Sequence, residues 1–254
     1  MRILRLSAFK DNFIWVLVNE QQEAVIVDPG DATPVIKELE ASSLTPVAML
    51  ITHHHADHTG GIVPLLERYP IPVYGPKNPN INGISQVVSE GDQVRLGRGF
   101  PDFEVIECPG HTLDHIAFYA APYLFCGDTL FAGGCGRMFE GSPKQFTESL
   151  AKLGALPSTT QVFCAHEYTT ANLRFALQVE PQNQALLERA RTVQSMREYA
   201  LATVPSLLVT ELATNPFLRT QVASVQQAAS QFIGAELTDQ TEVFAAIRKW
   251  KDSA

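Results

Sequence analysis

Thr52-His53-His54-His55-Ala56-Asp57-His58, the stretch THHHADH, holds four of the chain's seven histidines in seven positions. Crowded imidazoles repel one another once protonated and add little to a core, so the density asks for a reason. A bound cation supplies one. The stretch follows Val47–Ile51, a short apolar run that reads as a buried strand. Alternate side chains of an extended or turning segment share a face. His53 and His55 therefore point together, His54 points away, and Asp57 and His58 address a neighbouring spot. Neutral imidazole and carboxylate suit zinc, iron or manganese.

Three more candidates have the same local context. His111 follows the strand-like Phe103–Glu107, Asp128 follows Tyr123–Cys126, and His166 follows Gln161–Cys164. Four strand ends thus deliver His53, His55, Asp57, His58, His111, Asp128 and His166. Seven ligands exceed the needs of one tetrahedral metal, since three and a water already make a catalytic zinc site. Two metals sharing one carboxylate would use all seven; spacing leaves open which residue is shared. His54 and His115 read as groups that orient ligands rather than bind metal.

Working outward, the first two thirds of the chain read as short strands with interspersed helices. Strands are expected at Ile3–Leu6, Phe13–Val18, Glu23–Val27, Val73–Tyr74, Gln93–Leu96 and Ile116–Ala120. Helices are expected from Pro34 to about Ala41 with Thr33 as N-cap, from Ile62 to Arg68 and from Pro143 to Leu153. After Tyr168 the texture changes: residues 169 to 200 show no strand pattern, and Ala185, Leu186, Arg189 and Val193 keep helical spacing. A last helix is expected from about Asp239 to Lys251. These changes place a domain boundary near residue 168.

A formal charge of −8 argues against binding a nucleic-acid backbone, which relies on clustered cations. No secretory or membrane-spanning segment is expected: Lys10 and Asp11 break the N-terminal stretch, and Phe13–Val18 is too short to span. Cys108, Cys126, Cys135 and Cys164 form no C-x-x-C pair and read as free, buried thiols of a cytoplasmic chain. Other chemistries lack their motifs. There is no G-x-S-x-G elbow and no phosphate-binding P-loop. Gly133-Gly134-Cys135-Gly136 reads as a tight turn, and Thr170 stands where a helical zinc-protease motif starting at His166 needs histidine.

The motifs T-H-H-H-A-D-H, G-H-T, G-D-T and A-H-E-Y, in that order, resemble the metallo-β-lactamase superfamily. Gly134-Cys135-Gly136-Arg137, His166-Glu167-Tyr168 and a tail with Asn215-Pro216-Phe217 and Arg248-Lys249-Trp250-Lys251-Asp252 narrow the resemblance to its hydroxyacylglutathione hydrolase (glyoxalase II) family. The resemblance implies an α+β fold. A four-layer αββα sandwich would span residues 1–168, with a smaller all-helical glutathione-recognition domain over 169–254. It implies two divalent metal ions, zinc first and iron or manganese as alternatives. One would bind His53, His55 and His111, the other Asp57, His58 and His166, with Asp128 and a hydroxide shared.

Asp57 and Asp128 are then the catalytic carboxylates. The substrate implied is a small-molecule S-2-hydroxyacylglutathione thioester. Cleavage of S-D-lactoylglutathione would give glutathione and D-lactate, a step of methylglyoxal detoxification. A thiolate of ordinary pKa near 8.5 leaves without a strong general acid. Arg137, Phe139, Tyr168, Arg248 and Lys251 match the family's glutathione contacts. Phe139 stands where relatives often have tyrosine, leaving a backbone contact only. Leu113 and Asp114 replace a common Pro-Gly before His115. Asp28 resembles the family's buried aspartate near the site, with a turn cap before Thr33 as the other reading. The rival enzymes are a lactonase or β-lactamase and a mononuclear-iron persulfide dioxygenase; the rival outside enzymes is a metal- or glutathione-binding module. No nucleic-acid or membrane partner is expected, and a monomer is the default.

Overall fold

Every residue of the strand Asn12–Val18 is buried. A run without polar alternation marks a strand covered on both faces, and the first part of the fold is built on it. The computed structural model describes residues 1–253. It divides into two compact units, residues 1–107 with 114–127, and residues 108–113 with 128–254.

The first unit holds a six-stranded sheet in sequence order: β1 (Arg2–Ala8), β2 (Asn12–Val18), β3 (Glu23–Val27), β4 (Thr45–Leu50), β5 (Val73–Gly75) and β6 (Gln86–Val87). The first three strands are antiparallel neighbours, and β3 to β6 run parallel. Parallel neighbours need long crossovers, supplied here by α1 (Ala32–Ala41) and, after a short helix α2 (Ala56–Thr59), by α3 (Ile62–Arg68). Val35 and Leu39 of α1 and Ile62 and Leu65 of α3 join Val16, Val18, Ile26 and Met49 in one core. Each such burial is worth roughly 1.5–3 kcal/mol before entropy is counted. The register sets Val27 beside Leu50. Two parallel strands therefore end together, and Asp28 and Thr52, just beyond them, share one sheet edge. The same unit carries β7 (Gln93–Val94), β8 (Phe103–Glu107), β9 (Ile116–Ala120) and β10 (Tyr123–Gly127), all antiparallel neighbours.

The second unit is mostly helical. It contains the hairpin β11 (Leu130–Phe131) and β12 (Gly134–Cys135), then α4 (Pro143–Gly154), and the antiparallel pair β13 (Gln161–Cys164) and β14 (Ser206–Leu207). Its remaining helices are α5 (Thr169–Val179), α6 (Gln184–Glu198), α7 (Leu208–Thr214), α8 (Ala223–Ile233) and α9 (Gln240–Ser253), with a 3₁₀ turn at Pro216–Leu218. Ser142 and Gln145 form a capping box at the start of α4. Leu186 and Val193 of α6 pack on Leu173 and Ala176 of α5, as their helical spacing predicts.

One local expectation is corrected. Helix α1 begins at Ala32, and its N-cap is Asp31, not Thr33. The Asp31 carboxylate accepts the Thr33 amide at 2.8 Å, so the helix starts earlier than Pro34 alone suggests. In the H-x-H-x-D-H stretch, Ala56–Thr59 forms one helical turn. Among the described residues no helix is long and apolar enough to cross a membrane.

Candidate metal centre

In the first unit the loop after β4 gathers His53, His55, Asp57 and His58. His53 Nε2 lies 3.1 Å from His55 Nδ1. The rings of His53 and His58 are 4.1 Å apart between centroids, and His58 Nε2 is 3.8 Å from Asp57 Oδ2. His53 and His58 are fully buried, and Asp57 is partly exposed. The turn is held by His55 O, which accepts the amides of His58 and Thr59 at 3.0 and 3.1 Å. Gly30 lets the β3 loop press against it: a Cβ there would sit 1.8 Å from Asp57 O.

The second unit gathers His111, Asp128 and His166. His111 Nε2 is 3.4 Å from Asp128 Oδ2, and His166 Nε2 is 3.3 Å from Asp128 Oδ1. One carboxylate thus offers a separate oxygen to each of two imidazoles. All three residues are buried.

Hydrogen bonds on the far side of the rings set their tautomers. His111 Nδ1 is 2.7 Å from Arg137 O, and a carbonyl only accepts, so Nδ1 carries the proton and Nε2 the lone pair. Asp28 Oδ2 does the same for His58 Nδ1 at 3.0 Å. The Thr52 hydroxyl donates to Asp28 Oδ2 at 2.7 Å and is left to accept from His53 Nδ1 at 3.0 Å. His53 and His58 in the first unit, and His111 in the second, therefore each keep an unprotonated Nε2. Buried lone pairs and carboxylates crowded this closely repel one another unless a cation lies among them. Within each unit the donors fit the divalent metals that the resemblance implies.

Asp28, Thr52 and Asn12 complete the support. Asp28 Oδ1 also accepts the Thr52 amide at 2.8 Å. Asp28 thus orients His58 and Thr52 and does not cap the turn before Thr33. Asn12 Nδ2 donates to Asp57 Oδ2 at 2.9 Å and fixes that carboxylate. Sequence reading missed Asn12, because its partner is 45 residues away. His54 is turned aside to Asp114 Oδ1 at 2.9 Å, while Asn78 donates to Asp114 Oδ2 at 2.8 Å. His115 is buried and lies nearly flat on His53, with centroids 4.6 Å apart.

The residues matched to glutathione contacts all lie in the second unit. Tyr168 stacks on His166, centroids 4.7 Å apart and planes within 8°. Phe139 is exposed and meets His111 edge-on at 5.3 Å. Its amide donates to His111 O at 3.2 Å, so the backbone contact expected of Phe139 cannot use that N–H. Exposed Arg137 lies 3.6 Å from Asp252 Oδ1. Arg248 is 5% exposed, with Nη1 donating to Cys135 O and Gly136 O at 3.2 and 3.3 Å and Nη2 to Asp252 at 2.8 Å. Lys251 donates to Asn172 Oδ1 and lies over the Phe217 ring. Burial lowers its pKa to about 8, with the Arg248 charge helping.

The four cysteines are buried thiols outside any disulfide. Burial pushes the Cys164 thiol up to about 12 and also raises Cys135, which keeps both protonated at neutral pH.

Residues 10–166 match the family described as the Metallo-beta-lactamase superfamily, and residues 167–254 that described as Hydroxyacylglutathione hydrolase C-terminus. The hydroxyacylglutathione hydrolase of Idiomarina loihiensis is 52% identical over 255 residues, covering 100% of both chains. That of Nitrosomonas eutropha is 50% identical over 251 residues, covering 99% of this chain and 98% of its own. Among solved structures, the BLEG-1 B3 metallo-beta-lactamase shares the fold with a TM-score of 0.65 at 24% identity, over 85% of this chain and 99% of its own. TTHA1623 in a di-iron-bound form superposes with a TM-score of 0.54 at 28% identity, over 65% of this chain and 92% of its own. The chain belongs to the hydroxyacylglutathione hydrolase family, a metallo-β-lactamase domain followed by a helical C-terminal domain.

Proposed function

We propose that this chain hydrolyses S-2-hydroxyacylglutathione thioesters, with S-D-lactoylglutathione giving glutathione and D-lactate. The observation that carries the reading is Asp128, whose two oxygens face the Nε2 atoms of His111 and His166 separately. That is the geometry a shared carboxylate needs. One cation would take His53, His55 and His111; the other would take Asp57, His58 and His166, with Asp128 common to both. Zinc is the proposed occupant, and the same donors accept iron or manganese. Residues 1–168 would form the metal-binding catalytic part, and residues 169–254 the glutathione-recognition part.

Bound, the cations would supply a water acidic enough to lose its proton near neutral pH, and would draw charge from the thioester carbonyl. The chain's residues do the rest. Asp57, held by Asn12 and partly exposed, would accept the hydrogen bond of the attacking water and so aim it. Asp28, Thr52 and the Arg137 carbonyl hold the imidazole tautomers through the reaction. Arg137 and Lys251 would attract the carboxylates of the glutathione part, and Tyr168 and Phe139 would lie along it. Fixing the handle in this way positions the carbonyl for attack. The thiolate leaves unprotonated, so no residue is needed as a strong acid.

One preparation tests the reading. Metal content is measured beside turnover of S-D-lactoylglutathione, a lactone and a β-lactam, before and after chelation. The expected result is two divalent ions per chain and thioester cleavage alone, abolished by chelation and restored by zinc. Asp128→Ala should lose metal and activity together. Two metals retained in that variant, or a fully loaded natural chain inert toward the thioester, overturns the reading.

A further inference from the structure

A glycine-rich hairpin does not hold a shape by itself, because glycine gives up more conformational freedom on ordering than any other residue. β11 and β12 are two residues each, joined by Ala132-Gly133, and Gly133, Gly134 and Gly136 crowd the stretch. Yet this hairpin connects Asp128 to Arg137. Side chains from the helical part of the same unit meet its backbone atoms. Gly133 N–H donates to Glu211 Oε2 at 2.8 Å. Asn215 Nδ2 donates to Phe131 O at 3.2 Å and to Gly134 O at 2.8 Å. Asn172 Nδ2 donates to Ala132 O at 3.0 Å. Gly133 itself has φ +69°, and a Cβ there would come within 2.7 Å of Leu173.

Glu211 is the unusual member of this set. It is fully buried on α7, a place where carboxylates are rare unless paired. Its Oε1 takes the guanidinium of Arg189, whose Nη1 donates to Thr214 Oγ1 at 2.6 Å, and Asn215 Nδ2 lies 3.3 Å from Oε2. A buried ion pair is weak evidence for stability, since apolar residues of the same volume often do as well. What the carboxylate supplies is a directed acceptor, held from both sides and aimed at one amide of the hairpin. We infer that Glu211, oriented by Arg189 and Asn215, is a positioning residue that fixes the hairpin and thereby sets where Asp128 and Arg137 stand. The inference rests on the roles proposed above for those two residues. The helical segment then shapes the metal-binding loop as well as meeting substrate.

Paired neutral replacements separate the acceptor from the charge. Arg189→Met/Glu211→Met removes both, and Arg189→Met/Glu211→Gln keeps an acceptor oxygen for Gly133. Each is assayed well below its Tm for kcat, KM and retention of zinc against a chelator. The Met/Met variant should lose about tenfold or more in kcat/KM and in zinc affinity. The Met/Gln variant should stay within about threefold of the natural chain. A merely structural role would lower Tm and leave kcat, KM and zinc affinity of the folded protein untouched. That result for Met/Met overturns the inference, as does an equal fall in Met/Gln. If neither double variant folds, Asn215→Ser decides in the same terms. It removes the bonds to Phe131 and Gly134 while its hydroxyl can still cap Phe217 N–H, which Asn215 Oδ1 accepts at 3.1 Å. Should the natural chain prove inert toward the thioester, the proposed activity fails, and zinc retention in the variants still decides the role of Glu211.

Discussion

Asp28 accepts the Nδ1–H of His58 at 3.0 Å, and the same carboxylate takes both the amide and the hydroxyl of Thr52. Three donors converge on one buried group that binds no metal in the proposed assignment. Asp28→Ala would leave them without their acceptor, at about 1–3 kcal/mol for each buried group unmet. The ring orientation of His58 would be lost with it. The expected outcome is a lower Tm and metal affinity weaker by about 10- to 100-fold, read by unfolding and by chelator competition. Asp28→Asn should fall between, since an amide can accept from Thr52 but cannot take every donor. Unchanged zinc affinity in Asp28→Ala would show that His58 does not depend on this contact.

The lowered pKa of Lys251 makes its charge a matter of pH near neutrality. Its folded value is about 8, against an ordinary 10.5. Below about pH 8 the ammonium is present, and above it the charge is lost. KM for a glutathione thioester should therefore rise through pH 8 in the natural chain. In Lys251→Met it should start high and lack that rise. Stability responds with the opposite sense to a group that gains a partner. Between about pH 8 and 10.5 the unfolded chain holds a proton on this lysine that the folded chain has released, so this group makes stability increase with pH there. A KM that is flat with pH in the natural chain removes Lys251 from substrate binding.

Arg248 holds the hairpin backbone and is proposed to recognise substrate, and its replacement should show both. Its guanidinium holds the carbonyls of Cys135 and Gly136 beside Arg137, at the open end of the hairpin where Leu130 faces Cys135. Arg248→Glu would put a carboxylate against those carbonyls. KM should rise by about tenfold or more, with a lower Tm, because charge reversal at a buried site is among the severe single changes. Substrate binding should weaken far more than metal content falls. Equal KM in the variant and the natural chain would remove Arg248 from substrate recognition.

Much of the architecture was legible in the order of residues. The crowded histidines of 53–58 have no use in a core, and their spacing after a strand made a metal the simplest explanation. His111, Asp128 and His166 joined them because each stands directly after a strand-like run. The change from short β-branched runs to Ala-, Leu- and Gln-rich spacing after Tyr168 announced the helices of the tail. These signals are local: they depend on period, propensity and immediate neighbours, which a linear chain records.

The supporting contacts were not legible, and the reason is separation along the chain. Asn12 reaches Asp57 across 45 residues, and Glu211 reaches Gly133 across 78. Nothing in a stretch such as Leu208–Thr214 says that its glutamate will be buried against a glycine amide in a hairpin. Nor does the spacing of Arg248 and Lys251 reveal that one is buried under two carbonyls while the other loses its proton near pH 8. The identities of the proposed metal donors come from chemistry that each carries by itself. Their tautomers, the aim of their lone pairs and the strength of their neighbours' charges arise only once packing has chosen which distant groups touch and has removed the water between them.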